Sequence, residues 1–393
     1  MLIGVKMSNM GKLLPYLFLL FTIGFGWFIL SPLIPLLISA FGIKLAYAIQ
    51  LISLYGYTMV ILGLLAGWMS AKFTVKLALY LAAAISIIGL IGRALSPDYA
   101  VLLVFQVIAA IAYPLAMAPV GSVAASLFKN KSHTVVGISV GVLFLGMAAG
   151  AFSGPSLSAA LGLSGTFWVT AILAVIAAIW IFFGIKGYPT NYKGKSLKGS
   201  FKWGMLKNWY VGLVISSASV MFGGIASTVL LDIHHFSVLT AIGYGGLLGG
   251  LAFLGSAFGA IMLPPIFEKY KQIRMGMVLT GILSFIFVVS IAYYLSFIPL
   301  IAVLILSFFL FGFFGNAFWS MAMASTTNYV SDPAKAGFAT SMYSVATNLG
   351  VAFVPVFLGP MFIKNASLAV GVVVVIEFVA LLMAFLMKTK AGK

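Results

Sequence analysis

The chain has 393 residues, of which 63% are hydrophobic and 7% are charged, whereas an ordinary soluble domain is about 25% charged. Its 22 basic and 5 acidic side chains could not cover the water-exposed surface of a globule of this size. The composition therefore excludes a water-soluble fold and predicts a chain embedded in a lipid bilayer. The basic residues lie in short breaks between apolar runs, so the net charge of +17 does not indicate a nucleic-acid partner.

Apolar runs of about 20 residues, separated by turn or charge signals, predict twelve transmembrane helices. The predicted spans lie near 15–40, 45–69, 77–95, 99–127, 135–161, 164–186, 209–231, 240–263, 275–295, 298–329, 336–363 and 367–388. The predicted fold class is therefore an all-α membrane protein. The absence of cysteine excludes disulfides and thiolate metal sites.

The basic residues are distributed unequally between the two sides of the predicted membrane. If the N-terminus is cytoplasmic, Lys44, Arg93 and Lys364 fall on the outer side and the other nineteen of the 22 basic residues on the inner side. Cytoplasmic loops retain positive charge, so both termini are expected in the cytoplasm of a cell-membrane protein. Arg93 lies near the outer end of its span, and its side chain is expected to reach the interface.

The chain divides into two similar halves. A lysine-rich interval at 187–208 is predicted to be a cytoplasmic linker between an N-terminal six-helix bundle, 1–186, and a C-terminal six-helix bundle, 209–393. Three residues of the fifth span recur 200 positions later in the eleventh: Gly137, Gly150 and Pro155 match Gly337, Gly350 and Pro355. Parallel repeats of six spans predict a binding site at the interface of the halves.

Two short patterns carry a family resemblance. Residues 67–76 read GWMSAKFTVK, with Gly67, Lys72 and Lys76 at positions of the signature G-x-L-x-D-R-x-G-R-K of the major facilitator superfamily; Ala71 stands where the family has Asp. Glu268 and Lys269 match the acid-base pair of that loop in the second half. With Gly150, Gly154 and Pro155, which resemble the G-x-x-x-G-P motif of antiporter members, these features identify the whole chain as similar to secondary transporters of this superfamily.

The segment from Gly150 to Pro155 also has a physical interpretation. Gly150 and Gly154 are one turn apart and clear one helix face, while Pro155 frees a carbonyl and bends the helix. Pro355 occupies the repeated position. Close helix packing and a gating hinge both remain open as roles for these residues.

The resemblance implies a central cavity lined by the first, fourth, seventh and tenth spans. The candidate substrate-binding residues are Trp27, Gln106, Tyr113, Ser219, Asn316, Trp319 and Asn348, with Tyr55, Tyr244 and Tyr343 as secondary candidates. The amides are the most informative of these, because an unsatisfied amide in a membrane is costly. No cavity span carries a deep Arg or Lys for a phosphate, so a neutral or amphipathic solute is expected, with a lipophilic cation and a monocarboxylate as open alternatives.

The sequence does not favour an enzyme, because its spans contain almost no ionisable groups. Glu377 alone lies near mid-span; it could be a structural hydrogen-bonding group or a proton-coupling carboxyl. Asp232, a second candidate proton-coupling acid, precedes Ile233, His234 and His235 at the outer end of the seventh span, where an interfacial loop is favoured over a metal site. No metal or cofactor is expected, and H+ is an open partner.

The predicted function is secondary transport of a small organic solute, a metabolite or drug-like compound, by alternating access in a monomer. No G-x-x-x-x-G-K-[ST] loop occurs, so ATP is not expected as a partner. A facilitative uniporter or a monocarboxylate carrier of the same fold is the main alternative. A non-transporting membrane receptor or scaffold is the alternative from another class.

Overall fold

The structure is a computed structural model that describes residues 7–72, 74–117, 120, 132–185, 188, 201–329 and 333–388. Its described part consists of α-helices and two short 3-10 helices, Trp203–Met205 and Thr327–Tyr329. The helices are α1 (Met7–Phe28), α2 (Ile34–Phe41), α3 (Leu45–Lys72), α4 (Val75–Ala94), α5 (Tyr99–Met117), α6 (Ser132–Gly184), α7 (Leu206–Asp232), α8 (Val238–Lys269), α9 (Ile273–Ser296), α10 (Ile301–Thr326), α11 (Pro333–Lys364) and α12 (Ala366–Leu386).

Within the described ranges, 11 helices are long and apolar enough to cross a membrane, and α6 contains two of the predicted spans. Gly162 interrupts α6 with a φ of 70°, a backbone conformation that a residue without a Cβ adopts readily. The chain reverses direction at Gly162. Before it, Gly154 lies against Ile29, just past the end of α1, and after it, Gly184 lies against Pro15, near the beginning of α1. The fifth and sixth predicted spans are therefore the two antiparallel segments of α6.

The first predicted span is broken into α1 and α2. Between them the amide of Ser31 donates to the carbonyl of Phe28 at 3.1 Å, and that of Leu33 to the carbonyl of Leu30 at 3.0 Å. Pro32 cannot donate a backbone hydrogen bond and Pro35 lies in the first turn of α2, where proline is tolerated. The break directs Ser31 toward the second half of the chain.

The fold class predicted from the sequence, an all-α membrane protein, is confirmed, and its described helices pack as two bundles, α1–α6 and α7–α12. Large apolar side chains remain on the outside of both, such as Phe183, which is 63% exposed, and Phe357, which is 70% exposed. In water such a surface would drive association, whereas in a bilayer it contacts lipid chains. The chain is a multi-pass membrane protein.

The two bundles meet through equivalent helices. In the first pair, α3 packs against α11. A Cβ added at Gly56 of α3 would lie 3.0 Å from the carbonyl oxygen of Asn348 in α11. In the second, α6 packs against α8, where Gly246 lies against Ala151 and Pro155. Small residues at these contacts allow the helix backbones to approach closely, so the space between the bundles is narrow.

Close backbone packing also holds the second bundle together. A Cβ added at Gly312 of α10 would overlap the carbonyl of Ala252 in α8. This position therefore requires glycine for steric reasons, although glycine lowers intrinsic helix stability.

We predict that Gly312→Ala lowers the free energy of unfolding by about 1–3 kcal/mol, because the added methyl group forces α8 and α10 apart. Gly371→Ala in α12 is the matched control, since a Cβ there meets no atom within 4 Å. Thermal denaturation of the detergent-purified variants measures both effects. Equal melting temperatures for the two variants would contradict the close contact between α8 and α10.

Candidate substrate site between the two bundles

Three aromatic side chains of the first bundle form a buried cluster. The ring of Trp27 stacks on that of Tyr55 with 4.5 Å between centroids and 6° between planes, and the ring of Tyr113 lies 5.1 Å from Trp27. Trp27 Nε1 donates to the carbonyl of Ile52 at 2.8 Å, which fixes the orientation of the indole. The sequence predicts Trp27 and Tyr113 as substrate-binding residues and Tyr55 as a secondary candidate, and the structure brings all three together.

Asn348 of α11 borders this cluster from the second bundle. Its side chain lies next to Tyr113 and is 4% exposed. Its Nδ2 donates to the carbonyl of Ser344 at 2.9 Å, while its Oδ1 accepts no hydrogen bond from the described residues. A buried polar atom without a partner is rare in native structures, so Asn348 Oδ1 is a ready acceptor for a bound solute.

Trp319 of α10 provides the complementary group. Its ring lies 5.4 Å from that of Tyr343, and the Tyr343 hydroxyl donates to the backbone carbonyl of Trp319 at 2.9 Å. The indole Nε1 of Trp319 finds no acceptor in the part of the chain that the structure covers. Among the unpaired polar atoms of the second bundle are therefore a donor on α10, Trp319 Nε1, and an acceptor on α11, Asn348 Oδ1.

Three other candidate residues are engaged within their own bundles. Gln106 Nε2 donates to the carbonyl of Leu51 at 3.1 Å, and Asn316 Nδ2 donates to Ser256 Oγ at 2.6 Å. Ser219 Oγ donates to the carbonyl of Ile215 at 2.9 Å. Gln106 and Asn316 therefore tie helices together, and their role in substrate binding stays a prediction.

The prediction that Arg93 reaches the membrane interface was wrong. The side chain is 1% exposed and lies inside the first bundle, where Nη1 donates to the carbonyl of Gly26 at 2.8 Å and to Gln106 Oε1 at 3.0 Å. Nη2 donates to Thr170 Oγ1 at 2.7 Å, and the guanidinium lies 5.0 Å from the centroid of the Phe167 ring. These partners come from α1, α5 and α6, which no local sequence pattern brings together with α4.

Two side-chain contacts join the bundles near one end of the helices. We call the end where α6 finishes and α7 begins the connector end, and the opposite one the far end. Toward the far end, Ser31 Oγ donates to the carbonyl of Gly223 in α7. The ring of Phe28 lies 4.2 Å from that of Phe253 in α8. These contacts join the bundles on the far side of the aromatic cluster.

The candidate hinge residues pack closely against neighbouring helices. A Cβ at Gly150 would lie 2.6 Å from the carbonyl oxygen of Phe25, and one at Gly154 would lie 3.0 Å from that of Ile29. Pro155 lies against Gly246 of α8, and Pro355 lies within α11. The structure accounts for close packing at Gly150 and Gly154, while a gating role stays a prediction.

The two candidate proton-coupling acids lie apart from the aromatic cluster. Glu377 of α12 is 2% exposed, and its Oε1 has no partner among the described side chains and backbone. Asp232 is exposed at the end of α7. His234 Nε2 lies 2.7 Å from the carbonyl oxygen of Leu295, an arrangement in which the ring joins the α7–α8 turn to α9.

The cytoplasmic-loop residues selected from the sequence lie at helix ends. Gly67 belongs to the last turns of α3 and Lys76 to the first turn of α4, whereas the side chain of Lys72 lies outside the described residues. Glu268 and Lys269 are exposed at the end of α8. Lys269 Nζ lies 5.7 Å from the Tyr270 ring.

Comparison with known proteins adds the family. The sequence profile of the Major Facilitator Superfamily matches residues 16–296, and among curated proteins none matches the chain by sequence. One similar solved structure is a bacterial homologue of the human lysosomal transporter Spinster in an inward-facing and occupied conformation, with a TM-score of 0.73, 14% identity, and coverage of 98% of this chain and 97% of that one. Another is the human organic anion transporter MFSD10 (TETRAN), with a TM-score of 0.70 and 15% identity. The alignment with it covers 96% of this chain and 99% of that one.

We predict that Asn316→Ala lowers the free energy of unfolding by about 0.5–1.5 kcal/mol, because it removes a hydrogen bond between α8 and α10. The same change at Asn348 removes a bond within one helix and is expected to have a smaller effect. Melting temperatures of the two variants compare them directly. A larger loss for Asn348→Ala would contradict the division into a structural amide and a site amide.

Proposed function

The chain belongs to the major facilitator superfamily, and we propose that it is a secondary transporter that carries a small neutral or amphipathic organic solute across the cell membrane by alternating access. The observation that carries the proposal is a pair of unpaired polar groups in the second bundle. Asn348 Oδ1 belongs to a side chain next to Tyr113 of the aromatic cluster, and Trp319 Nε1 belongs to a ring that packs on Tyr343 of the same helix as Asn348, α11. A solute with an apolar body and one or two polar groups would stack on the cluster and complete both hydrogen bonds.

The arrangement of the bundles supports alternating access. Ser31 and Phe28 hold the far end together, and the bundles otherwise meet along α3 with α11 and α6 with α8. In this proposal, residues 1–186 and 209–393 rock as two bodies joined by the linker 187–208, both termini lie in the cytoplasm, and the transporter is a monomer that uses no ATP. The neighbouring Spinster homologue, described as inward-facing, is consistent with bundles joined at the far end.

The proposal has two versions that differ in what drives transport: coupling to a proton gradient and facilitated uniport. Coupling would use an acid such as Glu377, which is buried with an unpaired oxygen, or Asp232. Uniport fits the small number of acids, five in the whole chain. A pH-sensitive dye inside proteoliposomes distinguishes them, because only a coupled carrier changes the lumenal pH when its solute moves.

We predict that Trp319→Phe and Asn348→Ala each weaken solute binding about tenfold, since each removes one hydrogen bond to the solute. A thermal-shift screen of metabolites and drug-like compounds identifies the solute, because a ligand stabilises the protein that binds it. Uptake into proteoliposomes then measures each variant. Trp203→Phe is the matched control for Trp319→Phe, because Trp203 is 78% exposed; unchanged uptake in both site variants would refute the site.

We predict opposite movements at the two ends of the bundles. The chain has no cysteine, so spin labels can be placed without removing native thiols. One doubly labelled protein carries Lys44→Cys and Lys364→Cys at the far end, and another carries Lys12→Cys and Gln272→Cys at the connector end; all four residues are exposed. Pulsed electron double resonance should show one distance growing as the other shrinks, and distances that are fixed in every condition would contradict alternating access.

A further inference from the structure

Arg93 is one of the two arginines of the chain, and its surroundings are electrically neutral. Its guanidinium donates to the carbonyl of Gly26, to Gln106 Oε1 and to Thr170 Oγ1, all of which are uncharged acceptors. Its Nε has no partner within the described ranges. An arginine side chain stays protonated in proteins, so a full positive charge is buried inside the first bundle.

None of the acidic residues that the structure describes is a hydrogen-bond partner of Arg93. Four of the five acids, Asp232, Glu268, Asp332 and Glu377, belong to the second half of the sequence. The fifth, Asp98, is exposed and accepts a hydrogen bond from the amide of Val101 at 2.9 Å, at the beginning of α5. The neutral hydrogen bonds of Nη1 and Nη2 do not cancel the net charge of Arg93. In a low dielectric the field of that charge extends to the neighbouring groups.

The charge lies directly behind the aromatic cluster. The carbonyl that accepts from Nη1 belongs to Gly26, the residue before Trp27. Gln106 receives a hydrogen bond from Arg93 and donates one to the carbonyl of Leu51, and the next carbonyl, that of Ile52, accepts from Trp27 Nε1. Tyr55, stacked on Trp27, is close enough to interact electrostatically with Arg93. The guanidinium and the indole are thus connected through two adjacent backbone segments.

We propose that the candidate site takes an organic anion, a carboxylate or sulfonate on an aromatic or apolar body, and that the buried charge of Arg93 sets this preference. The inference rests on the proposed transport function and narrows its neutral or amphipathic solute to an amphipathic anion. A fixed positive charge behind the cluster raises the local concentration of anions and disfavours cations at the face of Trp27. The free Nε1 of Trp319 supplies a hydrogen-bond donor for the anionic oxygens. Arg93 acts as a specificity-determining residue that does not itself contact the solute.

Three probes of nearly equal shape test the preference: naphthalene sulfonate, naphthalene sulfonamide and naphthyl trimethylammonium, with charges of about −1, 0 and +1 at neutral pH. Isothermal titration calorimetry of the purified full-length protein measures the dissociation constant of each. The sulfonate is expected to bind at least about tenfold more tightly than the sulfonamide, and the ammonium probe to bind most weakly.

Two variants remove the charge effect in different ways. Arg93→Gln deletes the guanidinium, while Gln106→Glu places a carboxylate where Oε1 now accepts from Arg93 at 3.0 Å, so that the charge is neutralised with the arginine retained. In both variants, the dissociation constants of the sulfonate and the sulfonamide should differ by no more than about threefold. Arg93→Lys retains the charge and should keep the preference, a result that a purely structural role does not predict. Arg274→Gln is the matched control, because Arg274 is exposed and caps α12 through the carbonyl of Phe385.

The inference is overturned if the wild-type protein binds the neutral probe as tightly as the anion, if both charge variants keep the preference, or if none of the three probes binds. Should Arg93→Gln fail to fold, Gln106→Glu alone decides. The spin-label distances are measured on proteins with an intact Arg93, so a failed anion preference with opposite movements at the two ends would leave the transport proposal standing.

Discussion

The absence of water inside a bilayer is the constraint on which this structure depends, because every buried polar group there must find its partner within the protein. Most do. Within the first bundle, Tyr16 donates to the carbonyl of Ala116 and Thr58 to that of Ala110. Within the second, Asn208 donates to the carbonyl of Ala322. The few atoms left without partners, such as Asn348 Oδ1 and Trp319 Nε1, therefore stand out as groups available to a solute.

The distribution of polar and apolar contacts explains how one chain can form two bodies. Side-chain hydrogen bonds tie helices within each bundle, as between Asn316 and Ser256, whereas Gly56 and Gly246 mark contacts of small residues between the bundles. Contacts of the second kind have little directional preference, so they tolerate a change in the angle between two bodies better than a hydrogen-bond network does. Ser31 adds one polar contact at the far end by donating to the carbonyl of Gly223. The proposed rocking of the bundles would require this single bond to break.

The solved structures similar to this chain share only 14–15% of its residues yet align over nearly its whole length. Such a fold is maintained by a pattern of apolar spans and small packing residues, which many sequences satisfy. The fold does not require particular polar residues inside the spans, so these residues distinguish this protein from others with the same fold. Arg93 with its neutral partners is the clearest example, since it is the one charged side chain among the buried residues that the structure describes in the first bundle.

The sequence by itself determined the fold class, the number of spans and the family, because the hydropathy of a span and the residues of a loop motif are local properties. It also identified Trp27, Tyr113 and Asn348, which the tertiary structure brings together. Only the tertiary structure decided which amides already have partners and that Arg93 is buried, since its hydrogen bonds join α4 to α1, α5 and α6. Whether a polar side chain is satisfied depends on groups far away in sequence, and that information is absent from any single stretch of the chain.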